Sequence, residues 1–457
     1  MKIVVGGASN VGKSIVGYLS LGNNDIVVVD ENSANLEELS KEYDIQPVLG
    51  SISRPDVQES IDMQNMDMLI AVTENDEVNM VACQVAYTLF NVPRKIARVD
   101  SEYFLNPLWN TLYNEKSLPI DLVITPDVEI GKFIKNLFDL PGSTAVYPFL
   151  SGKINIFTFR HQDVEIPFMK FTLHQINRKL SDYGAQIVLI LRGGRRILPN
   201  EQEDIYLQRN DLIYICCAVQ TNIEIMRLFG IDHNPYEKVV IFGANATSYY
   251  LASQIEKQDD IESCTIVETD SAKAVKIAEK LNKTSVIAGD ITSDIILQEI
   301  GFAQADASVA VTERDKDNLL ISLLASKNKD TQGFSLVNSK DYNSLAQNIR
   351  NNVLIDRSVI TISALLHYLR KARIREAYSL GRDVGEIWEI ALGDDSININ
   401  HLIKNLNIPK ESSVVAVCNQ ANELIFDLKE YHLQPQDKVL VFVAPTDIKR
   451  VENIFYL

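Results

Sequence analysis

Short apolar runs of three to five residues, broken by longer stretches in which apolar positions recur every three or four residues, set the rhythm of the first 140 residues. The runs predict strands at Lys2–Val5, Asp25–Val29, Pro47–Leu49, Met68–Val72 and Lys95–Val99. Helices are predicted between them, notably over Ser33–Tyr43 and the apolar Val78–Phe90. Strands alternating with helices of this length require crossovers and a parallel, doubly wound sheet. The pattern then changes. From about residue 146 to 230 the strands are short, a Gly193-Gly194 pair invites a hairpin, and Arg209-Asn210-Asp211 introduces the apolar run Leu212-Ile-Tyr-Ile-Cys-Cys-Ala218, all of which suits a small α+β unit. Leu140-Pro-Gly-Ser-Thr144 is the breaker between the two patterns.

Both patterns return. Lys2–Gly7 reappears as Lys238–Gly243, at an offset of 236. Gly50, Asp67, Ala71-Val-Thr-Glu74, Asp76 and Asn79 reappear as Gly289, Asp306, Ala310-Val-Thr-Glu313, Asp315 and Asn318, at an offset of 239. Asp211-Leu-Ile-Tyr-Ile is echoed by Asp437-Lys-Val-Leu-Val, and Ile223–Phe229 by Lys449–Phe455, both at 226. The chain therefore reads A–B–A′–B′, with His233-Asn-Pro235 at the junction of the halves. Such a duplication leaves little room for a catalytic domain and points to sensing rather than turnover.

Composition adds limits. At 457 residues, 46% hydrophobic and 23% charged, the chain suits a soluble α/β protein of several domains. A net charge of −17 argues against nucleic acid and against polybasic attachment to anionic lipid. No apolar run approaches the ~18 residues that cross a bilayer, and the N-terminus enters a strand without a leader pattern. The five cysteines, Cys83, Cys216, Cys217, Cys264 and Cys418, form no metal-binding spacing and suit buried thiols in a reducing compartment. The basic run Arg370–Arg375 suits a helix C-terminus, and as the main positive cluster it is a candidate partner contact.

The candidate chemistry lies in the first turn. Gly7-Ala-Ser-Asn-Val-Gly12 follows a strand and opens a helix, so Gly7 permits the tight turn, Gly12 lets helix and strand approach, and the helix N-terminus offers amides to a pyrophosphate. Ser9 stands where a glycine would bring the backbone closer, although its hydroxyl could itself donate. Asp30 closes the next strand at the spacing of a ribose-binding carboxylate, which favours NAD over a 2′-phosphorylated dinucleotide. Thr73-Glu-Asn-Asp76 and Arg98 lie at the same sheet edge; helix capping by Thr73 or Asp76 alone explains the first, and an ordinary surface arginine is the base-rate account of the second. The same loop also spells a P-loop, with Lys13 and Ser14 as phosphate and magnesium groups. In the second copy, Gly243-Ala-Asn-Ala-Thr-Ser248 keeps one glycine and Glu268 replaces the aspartate, which leaves that site weak, structural or empty.

Met1–Asp30, Ala71-Val-Thr73, Asn79–Asn91, Ile96-Ala-Arg98-Val and Thr361–Ala372, in this A–B–A′–B′ order, resemble the TrkA family, cytoplasmic regulatory subunits of Trk potassium uptake systems. The resemblance implies two Rossmann-like RCK (or KTN) N-terminal modules at 1–140 and 236–372, each followed by a small α+β RCK C-terminal module, at 146–230 and 376–457. It implies a homotetrameric ring beneath an integral membrane potassium-channel subunit of the TrkH or TrkG kind. The location would be cytoplasmic, peripheral on the inner face of the cell membrane through that partner. The bound nucleotides would be NAD or NADH, with ATP or ADP as further ligands, and their binding would alter the ring's shape and the channel's activity. Gly7, Ser9, Asn10, Val11 and Gly12 would then line the pyrophosphate, Asp30 the ribose, Thr73 the neighbouring loop, and Arg98 a phosphate. Gly243 and Glu268 are their second-copy counterparts. Three rival readings remain: an NAD-dependent oxidoreductase, a P-loop NTPase, and a sensor of a small ligand held by B and B′.

Overall fold

The computed structural model describes residues 1–22, 24–101, 104, 111–161, 166–199, 204–231, 234–328, 330–339, 342–369, 374–381, 383–394, 396, 398–428 and 430–455. His233 and most of the basic run, residues 370–373, fall outside them.

The first sheet is built from β1 (Lys2–Gly6), β2 (Asp25–Asp30), β3 (Gln46–Leu49), β4 (Met68–Ala71), β5 (Arg94–Arg98) and β6 (Leu122–Ile124). The strands are parallel and ordered β3-β2-β1-β4-β5-β6, the dinucleotide-fold order whose reversal between β1 and β4 opens a crevice at the strands' carboxyl ends. Helices α1 (Asn10–Leu19), α2 (Ser33–Glu42), α3 (Pro55–Ser60) and α4 (Asp76–Phe90) make the crossovers, and α5 (Pro126–Asp139) follows β6. Ile3, Val4 and Val5 are fully buried, as a central strand covered on both faces demands. The short β6 has no counterpart among the expected strands.

The second sheet is antiparallel, with β7 (Ala145–Phe149), β8 (Ile154–Arg160), β9 (Ala185–Arg192), β10 (Arg195–Ile197) and β11 (Leu212–Ala218) in the order β10-β9-β11-β8-β7. Helix α6 (Leu173–Leu180) precedes β9, and α7 (Asn222–Leu228) follows β11. The Gly193-Gly194 hairpin is present: Arg192 faces Arg195, and both glycines have positive φ, at 54° and 83°. The second half repeats the scheme. A parallel sheet, β14-β13-β12-β15-β16-β17, comprises β12 (Lys238–Phe242), β13 (Ser263–Glu268), β14 (Ser285–Ala288), β15 (Ala307–Ala310), β16 (Gln332–Val337) and β17 (Asn352–Asp356). Its helices include α8 (Ala246–Ile255) and, after β15, α9 (Asp315–Ala325); α10 (Arg357–Leu369) follows β17. An antiparallel sheet, β18-β19-β22-β20-β21, closes the chain, with β18 (Ile374–Ser379), β19 (Glu386–Ala391), β20 (Ser413–Cys418), β21 (Leu424–Ile425) and β22 (Lys438–Val443). The protein is thus α/β, with two Rossmann-like parallel sheets each followed by an antiparallel one.

Packing resolves two compact units. One comprises residues 1–130 with 336–344 and 355–365; the other comprises 131–335, 345–354 and 366–457. Within the second, B and B′ share one core. Tyr147, Phe149, Ile156, Leu189 and Tyr214 pack with Ile387, Ala416, Leu440 and Phe442, and buried Glu389 accepts a hydrogen bond from the Leu150 amide at 2.8 Å. All five cysteines are buried and free, and burial pushes the Cys83 thiol up to about 12. Among the described residues no helix is long and apolar enough to cross a membrane.

Candidate functional site

The loop after β1 is fixed by what it cannot accommodate. Gly7 has φ +108°, and a Cβ there would lie 2.7 Å from the Thr73 amide nitrogen. A Cβ on Gly12 would lie 1.9 Å from the Gly7 carbonyl oxygen. Both glycines are therefore demanded by backbone approach, as expected from the sequence. Ser9 is the N-cap of α1, but its side chain does not cap the helix. Its Oγ is buried and has no hydrogen-bond partner among the described residues. The intrahelical ladder starts with the Lys13 amide donating to Ser9 O at 2.8 Å. The first-turn amides of Asn10, Val11 and Gly12 therefore lie outside it, where an anion can take them.

Asp30 ends β2 and reaches back to this loop. Its Oδ2 accepts from the Ala8 amide at 2.5 Å and its Oδ1 from the Asn32 amide at 2.7 Å. The carboxylate thus holds the first residue of the turn, and each oxygen retains acceptor capacity for a ribose hydroxyl. A glycine cradle that any Cβ would fill, a buried unpartnered hydroxyl and a carboxylate across from them suit a dinucleotide.

Thr73 forms the loop wall facing Gly7. The caps expected at Thr73 or Asp76 are not used: Asn75 caps α4 by accepting from the Val78 amide at 2.9 Å. Thr73 is instead fastened by Asn79, a fully buried carboxamide that accepts from the Thr73 amide (2.9 Å) and hydroxyl (2.7 Å) and donates to the Thr73 and Arg98 carbonyls, both at 3.0 Å. Asp76 accepts from the amides of Asp100 and Ser101 at 3.0 and 2.8 Å. Arg98 is neither free nor a plain surface residue: it is paired with Asp100, the shortest N–O distance being 2.5 Å. Burial raises the Asp100 carboxyl above the ordinary range, opposed by Arg98 and reinforced by Asp127 and Asp76. The structure therefore brings Gly7, Gly12, Asp30 and Thr73 into one edge, and leaves Arg98 held by a neighbouring carboxylate.

The second copy keeps the framework and fills the cradle. Gly243 has φ +105°, and Asn318 fastens Thr312 as Asn79 fastens Thr73. Glu268 reaches the Ala244 amide at 2.7 Å and the Asp270 amide at 2.9 Å, copying the two bonds of Asp30 with a longer arm. Burial raises its pKa, but those amides, Thr269 and Lys273 outweigh that and hold it below the ordinary value. The difference is the helix start. Asn245 accepts from the Ser248 amide (3.1 Å), Ser248 Oγ accepts from the Asn245 amide (2.9 Å), and Asn245 Nδ2 donates to Val311 O (2.6 Å). A reciprocal capping box thus occupies the Ser248 amide, whose counterpart at Gly12 is left outside the ladder in the first copy.

The P-loop groups point elsewhere. Lys13 pairs with Glu38 of α2 at 2.5 Å, and Ser14 Oγ donates to Asn10 O and meets Ser358 Oγ at 2.7 Å. Two groups went unnoticed in the sequence, Ser358 and Arg357, the latter paired with Asp127 at 2.6 Å. They start a helix far along the chain, and no spacing signals their place beside the first sheet. No histidine lies in residues 1–130, so this edge contains no imidazole of that stretch to relay a proton to a nicotinamide.

The TrkA-N domain profile matches residues 3–126 and again residues 239–357. Two relatives named Trk system potassium uptake protein TrkA are similar throughout. The one from Azorhizobium caulinodans is 31% identical over 455 residues, spanning 100% of this chain and 98% of the relative. The one from Vibrio alginolyticus is 30% identical over 458 residues, with the same coverage. Among solved structures, the GsuK RCK domain gives a TM-score of 0.62 at 15% identity, covering 99% of this chain and 94% of that one. The GsuK channel bound to NAD gives 0.61 at 15%, covering 99% and 79%. At that identity the structural likeness speaks for the fold.

Proposed function

The chain belongs to the TrkA-N family, and from that premise we propose that it is a nucleotide-binding regulatory subunit of a membrane potassium uptake system. The observation that carries the reading is the first loop: open first-turn amides, a buried unpartnered Ser9 hydroxyl, and Asp30 anchored against Ala8. NAD or NADH is the preferred ligand, with ATP or ADP next, because Asp30 accepts ribose hydroxyls and repels a 2′-phosphate. Gly7, Ser9, Asn10, Val11 and Gly12 would hold the pyrophosphate. Arg98 would reach a phosphate after leaving Asp100, and Thr73 would wall the cleft. The self-capped loop at Gly243 and Glu268 supports a single nucleotide per chain.

The protein acts without turnover. Ligand bound in module A favours one arrangement of the assembly over another, and the membrane subunit, of the TrkH or TrkG kind, responds. A coupling of ~1–3 kcal/mol would change activity several-fold or more, provided the ligand binds the two arrangements unequally. Assembly as a homotetramer on the cytoplasmic side of the membrane fits the apolar side chains left exposed on both copies of one helix: Val81 (48%) and Leu89 (57%) on α4, Leu320 (42%) and Leu323 (50%) on α9.

Calorimetric titration of the purified full chain with NADH, ATP and MgGTP, beside Asp30→Ala, tests the reading. NADH or ATP binding at one equivalent per chain, lost with Asp30 and without consumption of ligand, is expected. Wild-type affinity in Asp30→Ala would overturn the ribose assignment, magnesium-dependent hydrolysis lost with Lys13→Ala would favour an NTPase, and NADH oxidation with a carbonyl substrate would favour a dehydrogenase.

A further inference from the structure

Modules B and B′ enter their last strands through the same turn. Asn210 and Gln436 both take left-handed backbone, with φ of 65° and 66°. The amides of Gln208 and Gln434 each donate, at 2.8 Å, to the aspartate three residues on, Asp211 and Asp437. Both aspartates are fully buried. Their partners differ. Asp211 receives a bidentate pair from Arg192, Nε to Oδ1 and Nη2 to Oδ2, both at 2.8 Å. In B, Leu191 faces Leu212; in B′, Cys418 faces Lys438, so the position of Arg192 falls to Asn419. Asn419 is engaged with Glu423 of its own hairpin, with bonds of 2.8 Å in each direction.

Asp437 is left with two donors on one oxygen: the Gln434 amide and the Tyr431 hydroxyl, at 3.0 Å, the latter in place of Ile205 of B. Its Oδ1 is buried with no hydrogen-bond partner among the described residues. Among the described residues, the titratable groups around it bring no compensating cation. Cys418 lies across the strand pair, Tyr431 and its neighbour Glu423 lie on the loop and hairpin side, and Lys438, next along β22, points to the opposite face of the sheet. A carboxylate so enclosed is costly when charged, and taking up a proton removes the charge.

We propose that Asp437 makes the terminal module proton-sensitive: the folded module binds a proton at this carboxyl, and it tightens as pH falls, a linkage that the Arg192 pair denies to Asp211. The direction agrees with the burial that raises Asp437 above its ordinary 3.8, opposed by the Gln434 amide and Tyr431. With the folded value raised, stability is full below the ordinary value and declines as pH climbs towards the folded one. The inference concerns a module remote in sequence from the nucleotide loop and is tested without nucleotide, so the two readings fail separately.

The test is infrared titration of the full chain labelled at aspartate side-chain carboxyls, from about pH 5, where ordinary aspartates are mostly ionised, to about pH 7. The wild-type minus Asp437→Asn difference should show a protonated-carboxyl band that persists after ordinary aspartates have ionised, the raised Asp100 carboxyl being common to both and cancelling. Tyr431→Phe, which removes a donor to the carboxylate, should move that band's disappearance to higher pH. Wild-type and Asp437→Asn spectra that superimpose through this range would overturn the proposal, as would a band in Tyr431→Phe that vanishes at lower pH than in wild type.

Discussion

Replacing Gly12 by alanine sets a methyl carbon 1.9 Å from the Gly7 carbonyl oxygen. Comfortable non-bonded contact needs about 3.5 Å, so strand end and helix start must separate by about 1.6 Å. Nothing flexible can absorb this, because the obstructing atom is backbone, and Gly7 is itself against the Thr73 amide. Overpacking of this kind costs about 1–3 kcal/mol of local stability. The effect on ligand is larger. A displacement of that size takes amide–phosphate bonds from about 2.9 Å to beyond hydrogen-bond range. Two charge-assisted bonds lost at about 1.5–3 kcal/mol each amount to a hundredfold or more in affinity. Calorimetry with NADH should show that loss, while the circular-dichroism spectrum stays near wild type because the sheets do not depend on the loop. An affinity within about threefold of wild type would refute the argument that Gly12 sets the phosphate-binding geometry.

Other expectations follow from the same geometry. Ser248→Ala, which opens the capping box of the second copy, should cost about 1 kcal/mol of thermal stability and leave the nucleotide stoichiometry unchanged; a second equivalent bound by wild type would sink the single-site reading. Lys13→Ala should leave NADH affinity within about twofold, since Lys13 faces Glu38. Arg192→Met strands the buried Asp211 and should destabilise by about 3 kcal/mol, seen as a lowered denaturant midpoint. Glu376 lies opposite Glu389 across β18 and β19; burial first, then Glu389, raises its pKa above 4.5 against Lys438. Its contribution is therefore present at low pH and lost as pH rises, so Glu376→Gln should flatten the fall in melting temperature over that window.

The α/β alternation, the duplication and the A–B–A′–B′ order were legible because each is a regularity along the chain. Gly7, Gly12 and Asp30 were legible for a related reason: a positive φ, a close approach and a strand-end acid each demand a residue type at a fixed spacing. Asn79 was visible only as a repeated letter. Its role depends on reaching both Thr73 and the Arg98 carbonyl, a meeting made by β4 and β5 lying side by side. The cap of α4 falls on Asn75 rather than on Thr73 or Asp76 because Thr, Asn and Asp are all good N-caps, and only backbone angles select among them. The core shared by B and B′ had no signature, since alternation tells which strand face is buried and never what buries it.

Duplication supplies its own controls, and they decide more than resemblance does. The loops of A and A′ share their strand, their left-handed glycine and their strand-end acid, so those features cannot by themselves mark a ligand site. What differs is whether the helix start is capped from within: Asn245 and Ser248 cap it in A′, and among the described residues no side chain caps it in A. Buried polar groups are rarely left without partners. A framework preserved twice, with the third first-turn amide taken by the helix's own cap in only one copy, is therefore better explained by a ligand at the other copy than by drift in both. The same comparison between Asp211 and Asp437 isolates the loss of one cation in an otherwise retained turn. The divergence between copies, rather than their likeness, locates the groups that answer to something outside the chain.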